Sequence, residues 1–209
     1  MIWLEETMKL FVQEKKQHIK VPHSDPGSTQ VLITQLTDYF KQIPAKQEIV
    51  FVCVGTDRST GDALGPFVGA RLKKYNFSDI HVYGTLDNPV HALNLQETLD
   101  RVENEFYQPF MVGIDACLGQ ISSVGQIQLC QGPLKPGAGV NKELPPVGQI
   151  HMTGIVNVGG FMEYFVLQNT RLSLVVNMAE VIAKSIYISL IHSKRIGVFS
   201  TNSILKRFD

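Results

Sequence analysis

At 209 residues, 44% hydrophobic and 18% charged, the chain is long and apolar enough to bury one substantial core, which excludes a disordered polymer. Nineteen basic side chains balance nineteen acidic ones, so a formal net charge of zero supplies no long-range attraction to nucleic acid or to an anionic membrane. Cys53, Cys117 and Cys130 are odd in number and form no CxxC pair, which fits a reducing compartment rather than a disulfide-built scaffold.

Residues 1–20 are amphipathic and charged and read as a docked helix within an N-terminal extension, 1–27. The opening Met1-Ile2-Trp3-Leu4-Glu5-Glu6 has acids where a signal peptide is basic, so a cytoplasmic chain is expected. Pro22 to Gly27 marks a loop. Ser28 then caps a helix with apolar positions Val31, Leu36, Phe40 and Ile43, which ends before Pro44. This helix opens the single domain expected over 28–209.

Ile49–Val54 is continuously apolar and predicts a strand buried on both faces. Asp62 is placed to cap a helix over Ala63–Lys74, where Leu64, Val68 and Leu72 recur every four residues and Pro66 is tolerated near the helix start. Ile80–Tyr83 predicts a strand, Gly84–Pro89 a turn, His91–Glu105 a helix and Phe110–Ile114 a further strand. Val124–Cys130 and Gln149–Ile155 read as strands separated by a loop containing Gly132-Pro133 and Pro136-Gly137. A helical tract follows from Asn157, with a break near Gln168–Thr170 and a last apolar stretch over Val175–Ile191. Asn177, Glu180 and Lys184 interrupt that stretch, so no bilayer span is expected. The alternation of strand and helix predicts an α/β three-layer sandwich around a mostly parallel sheet.

The chemistry concentrates at strand ends. Gly55-Thr56-Asp57-Arg58-Ser59-Thr60-Gly61-Asp62 follows one buried strand and Asp115 follows another, and ligands of open parallel sheets bind at strand carboxyl ends. Paired, Asp62 and Asp115 can share a proton, one activating water while the other protonates a leaving group. Each also has a structural reading: Asp62 as a helix cap, Asp115 as a tie to a loop amide, Asp57 as a turn acceptor or the partner of Arg58. Gly55 can let the backbone bend closely around a substrate chain. The loop carrying Asn141 can aim amides at a developing oxyanion, or it can brace the sheet edge. A second chemistry is a metal site, with Asp57, Asp62, Asp87 and Asp115 as oxygen ligands and His81, His91 or His151 as nitrogen ligands. No compact metal spacing such as HExxH is present. Cys117 is either a nucleophile near His151 or a small buried hydrophobe. Neither GxGxxG nor GxxxxGK[ST] occurs, so a nucleotide cofactor is not expected.

Five strings carry a family resemblance: VGTDRSTGDALGP at 54–66, GTLDNPVHALNL at 84–95, IDACLG at 114–119, GPLKPGAGVNKELPPVG at 132–148 and GIVNVGGFMEYFVLQNTRLSLV at 154–175. With these the chain resembles the YyaC-like sporulation proteins of spore-forming bacteria, a family described as candidate spore proteases. More distantly it resembles the germination protease that degrades small acid-soluble spore proteins, an aspartic-type peptidase on the hydrogenase maturation endopeptidase fold. The TPDALGP phrase of that enzyme matches Thr60–Pro66 and implies a catalytic Asp62. Its AIDAL phrase matches Gly113–Cys117 and implies a catalytic Asp115. Its PGSGVGNKR loop resembles Pro136–Glu143, with one glycine fewer and Glu143 in place of arginine. The maturation endopeptidases also use a histidine to engage nickel in their substrate, and no histidine occurs here from 116 through 150.

The reading that results is a cytoplasmic peptidase of the sporulating cell or spore, without a cofactor. Asp62 and Asp115 are its catalytic pair, and Gly55, Asp57, Asn141 and Lys142 contact the substrate. Small acid-soluble spore proteins are the candidate substrate, no nucleic-acid or membrane partner is expected, and Val175–Ile191 offers a face for a homo-oligomer or covers the sheet. The alternative is a non-catalytic sporulation factor that binds a peptide or protein in the same crevice, followed by a metal-dependent hydrolase of small substrates.

Overall fold

The computed structural model describes residues 18–75, 77, 80–137 and 144–197. Six strands, β1 (His18–Pro22), β2 (Ile49–Cys53), β3 (Ile80–Tyr83), β4 (Phe110–Gly119), β5 (Gln126–Gln131) and β6 (Ile150–Val158), form one sheet in the order β1-β5-β6-β4-β2-β3. β3, β2, β4 and β6 run parallel, β5 is antiparallel to β6, and β1 is antiparallel to β5. Five helices accompany them: α1 (Ser28–Gln42), α2 (Leu64–Lys74), α3 (Leu95–Glu105), α4 (Glu163–Gln168) and α5 (Leu172–His192).

The run Ile49-Val50-Phe51-Val52-Cys53 explains the layering. All five residues are buried, and successive side chains point to opposite faces. Ile49, Phe51 and Cys53 enter a core shared with α1, α2 and α5, where Phe40 meets Phe51 edge-on at 6.3 Å. Val50 and Val52 enter a second core with Leu95, Leu99 and Val102 of α3 and with Leu134 and Val147. Helices therefore cover both faces, and the three-layer α/β sandwich with a mostly parallel sheet is the fold.

Glycine sets the distance between α2 and the sheet. A Cβ on Gly65 would lie 2.0 Å from the Val54 carbonyl oxygen, and one on Gly69 would lie 1.9 Å from that of Gly84. The amino end of α2 thus rests directly on backbone at the carboxyl end of β2.

Several elements differ from the sequence reading. His18–Pro22, expected inside an extension ending at residue 27, is an edge strand of the sheet, with Val21 in the first core. Residues 1–17, where a helix was expected, lie outside the described residues. Ser28 caps nothing: Gly27 holds the N-cap position, and the Ser28 hydroxyl donates to the Pro22 carbonyl at 2.6 Å. The tract from Asn157 is strand to Val158 before α4 begins, although the break near Gln168–Thr170 does separate α4 from α5. α5 is apolar enough to pass for a membrane span by length and composition alone, despite its interrupting polar residues, a test that buried core helices also pass. Its two charges are both exposed, Glu180 pairing with Arg71 at 2.7 Å, while Met178, Ile182, Ile186 and Leu190 fill the first core.

Candidate active site

Asp62 owes its place to the turn that follows β2. Gly55, at φ +143°, donates its N–H to the Val90 carbonyl at 2.8 Å, and Thr56 donates to the backbone carbonyl of Asp62 at 3.1 Å. A Cβ on Gly55 would fall 2.0 Å from that same Asp62 carbonyl oxygen, so only glycine permits the chain to fold back this tightly. Asp62 lies inside a one-turn 3₁₀ segment, Gly61–Ala63, and the N-cap of α2 is Ala63 without a side-chain cap. The expected capping role is therefore absent. The Asp62 carboxyl is left to face a cavity, close to the buried Ser59 hydroxyl, which makes no well-formed hydrogen bond.

Asp115 is not at the end of its strand. β4 continues to Gly119 because β6 extends alongside it, pairing Asp115 with Thr153 and Gly119 with Val158. The β2–β4 ladder, however, stops at Cys53–Ile114, which makes Asp115 the first residue past the carboxyl end of β2. Registers with β6 and β5 set Asp115, Thr153 and Gln128 in one row across three strands, and the Thr153 hydroxyl donates to Gln128 Oε1 at 3.0 Å. The Ala116 N–H donates to Asp115 Oδ1 at 2.8 Å.

Both carboxyls line a cavity of about 480 Å³, together with Cys117, Gln128, Lys135, His151, Thr153, Glu163 and Leu167. A larger cavity of about 730 Å³ runs along β3 near His81 and His91 and is lined by neither Asp62 nor Asp115. Asp115 keeps some accessible surface through the cavity and is otherwise surrounded by protein. This desolvation holds its carboxyl well above the ordinary range, against the Ala116 hydrogen bond, and the nearby Asp62 charge adds to the rise. Desolvation also raises Asp62, with Ser59 opposing it. The larger rise at Asp115, the more deeply enclosed of the two, fits a pair in which Asp62 ionises first and Asp115 keeps its proton.

Cys117 shares the cavity, but burial pushes its thiol up to about 11 despite a Thr153 hydrogen bond, so it is a neutral thiol near pH 7. His151 Nδ1 lies 2.8 Å from the Gly132 carbonyl, which can only accept; the proton is on Nδ1, and a neutral ring keeps Nε2 as an acceptor. Gly55 and Asp57 do not line the cavity. Gly55 works beneath the Asp62 turn and Asp57 is exposed, with no Arg58 ion pair among the described residues. Asn141 and Lys142 lie outside the described residues. Among the described residues no three His, Cys, Asp or Glu side chains converge as a metal-holding set, so the acids and His151 do not fit a three-ligand centre.

Sequence reasoning missed Thr153, Gln128, Lys135 and Glu163. Only the β-strand alternation around Thr153 offered a signal for the first two. Glu163 reaches the cavity because α4 packs on the Asp62 turn: a Cβ on Gly61 would lie 2.7 Å from Leu167 Cδ2 and 2.9 Å from its carbonyl oxygen.

Comparison with known proteins places this geometry in a family. The model described as "Protein of unknown function (DUF1256)" matches residues 20–185, a span that includes every residue lining the acid cavity. The chain belongs to this family. "Uncharacterized protein YyaC" of Bacillus subtilis (strain 168) is 50% identical over 177 residues, which covers 85% of this chain and 86% of that protein. A solved NiFe hydrogenase maturation protease, HycI from Thermococcus kodakarensis KOD1, aligns with a TM-score of 0.49 at 17% identity, covering 73% of this chain and 99% of that one.

Proposed function

We propose that this family member is a peptidase that hydrolyses a protein or peptide with Asp62 and Asp115. The observation that carries the reading is the two carboxyls in one cavity, both pushed up by burial and Asp115 the further. Ionised Asp62 accepts a proton from water as the water oxygen attacks the scissile carbonyl carbon. Protonated Asp115 gives its proton to the amide nitrogen, the C–N bond breaks, and a carboxylic acid and an amine leave. Asp62 is then protonated and Asp115 ionised, and a proton shift between them restores the starting pair. The desolvation that raises both groups brings their proton affinities toward the working pH, where acid–base transfer is most effective.

The resemblance to sporulation proteins makes the sporulating cell or spore the proposed setting, and small acid-soluble spore proteins the first substrate to try. Purified protein is incubated with them, with and without chelator, beside Asp62→Asn and Asp115→Asn, and the products are read by mass spectrometry. Discrete products from wild type that disappear in both folded variants support the reading. Binding without cleavage in all three proteins contradicts it and favours a non-catalytic binding factor. Loss of cleavage with chelator, restored by one divalent ion, favours the metal-dependent hydrolase.

A further inference from the structure

The acid cavity has two chemically distinct ends along β6. His151, with Lys135 of the adjacent loop, lies toward the strand's amino end, while Glu163 enters just beyond its carboxyl end. Glu163 is held without a partner for its outer oxygen among the described residues. Its Oε1 accepts the Gly160 N–H at 3.2 Å, which fixes the carboxyl, and its Oε2 is buried with no hydrogen-bond partner among the described residues. Among the described residues no lysine, arginine or histidine lies within ion-pair distance of it. A buried carboxylate oxygen left unpaired is costly, and a charge-assisted donor relieves that cost.

The segment carrying Glu163 also exposes an apolar surface. Phe161 is 92% exposed, Tyr164 67%, Met162 60% and Phe165 57%, all within five residues. The segment is anchored. Leu167 packs on Gly61 of the Asp62 turn, the Asn157 amide donates to the Val166 carbonyl and to the Thr170 hydroxyl at 3.2 Å each, and Met162 stands in the left-handed region at φ +60°. These side chains do not line the cavity themselves, but they flank Glu163, which does, and an exposed apolar cluster of this kind marks an interaction site.

We infer that Glu163 and the exposed aromatics beside it form a specificity subsite for a polypeptide carrying a lysine or arginine next to an apolar residue. The cationic side chain donates to Glu163 Oε2, and the apolar neighbour rests on Phe161 and Phe165. This assigns a substrate class to the peptidase reading and rests on it for the identity of the cavity. Glu163 is a specificity residue here, separate from the acid pair.

The test is a binding measurement, so that it succeeds or fails independently of turnover. Short fluorescein-labelled peptides in a Gly/Ser background carry a central Phe-Arg, Phe-citrulline or Phe-Glu pair. Fluorescence anisotropy is read in the Asp115→Asn background, where hydrolysis is silenced. A charge-assisted hydrogen bond of about 1.5–3 kcal/mol corresponds to a preference of about tenfold or more for Phe-Arg over Phe-citrulline. Glu163→Gln is expected to erase that preference, and Glu163→Lys to turn it toward Phe-Glu. A Phe161→Ala/Phe165→Ala double variant is expected to weaken Phe-Arg and Phe-citrulline by a similar factor. Equal affinity for the three peptides, no binding at millimolar peptide, or an arginine preference that survives Glu163→Lys overturns the inference. Lost cleavage without a change in this discrimination would instead count against the peptidase reading alone.

Discussion

Gly65→Ala offers a stringent test of how α2 delivers Asp62 to the cavity. The added Cβ would sit 2.0 Å from the Val54 carbonyl oxygen and 2.9 Å from Val54 N and C, where ordinary contact begins near 3.4 Å. The obstacle is backbone, so no side-chain rotation relieves it. Val54 N–H is bound to the Ile114 carbonyl at 2.7 Å and Gly55 N–H to that of Val90 at 2.8 Å, and moving the strand end disturbs both. Moving the helix instead disturbs Leu64, Val68 and Leu72, each fully buried. Overpacking costs about 1–3 kcal/mol and each weakened hydrogen bond about 1 kcal/mol. Alanine's helix propensity returns about 1 kcal/mol at most, so the clash wins by roughly 2–4 kcal/mol. At about 2–4 °C per kcal/mol for a domain of this size, the Tm falls by roughly 4–16 °C. Circular dichroism melts at pH 7 check this. An unchanged or raised Tm would refute the close approach.

Two further outcomes are expected. Both acids are raised above the unfolded carboxylate value of about 3.9, so in the window from about pH 4 upward the folded state binds more protons than the unfolded one and stability falls as pH rises. Asp115→Asn removes its share, and its Tm advantage over wild type grows between about pH 4 and neutrality; melts across that range that move in parallel would deny the raised pKa. Gly61→Ala pushes on Leu167 and costs about 1–3 kcal/mol by overpacking, and it shifts α4, so it reduces the peptide preference assigned to Glu163 as well as the Tm.

Much of the central sheet was legible because β2 is apolar without interruption and α2 repeats its buried positions every four residues. Asp62 stood out for the glycines around it, which close approach to Val54 and to the folded-back turn requires. The extension of β4 past Asp115 was hidden by composition. Asp115 to Leu118 all line the cavity while Ala116 and Leu118 also pack against the first core, so the polar residues there sit within a strand rather than at its end. β1 shows the same alternation, with Ile19 and Val21 turned to the core and His18 and Lys20 exposed, in a stretch whose charge suggested a docked helix. Glu163 carried no local signal, because its importance comes from Leu167 meeting Gly61 across about a hundred residues of chain.

The central claim, an acid pair sharing one proton, is tested most directly by carbon-13 NMR titration of the aspartate carboxyls, with Asp62→Asn and Asp115→Asn supplying the assignments. The account predicts that Asp62 ionises first and that Asp115 holds its proton well above the ordinary carboxylate range, with the Asp115 titration moving down when Asp62 is made neutral. Two independent titrations near pH 4, each indifferent to the other's substitution, would contradict it.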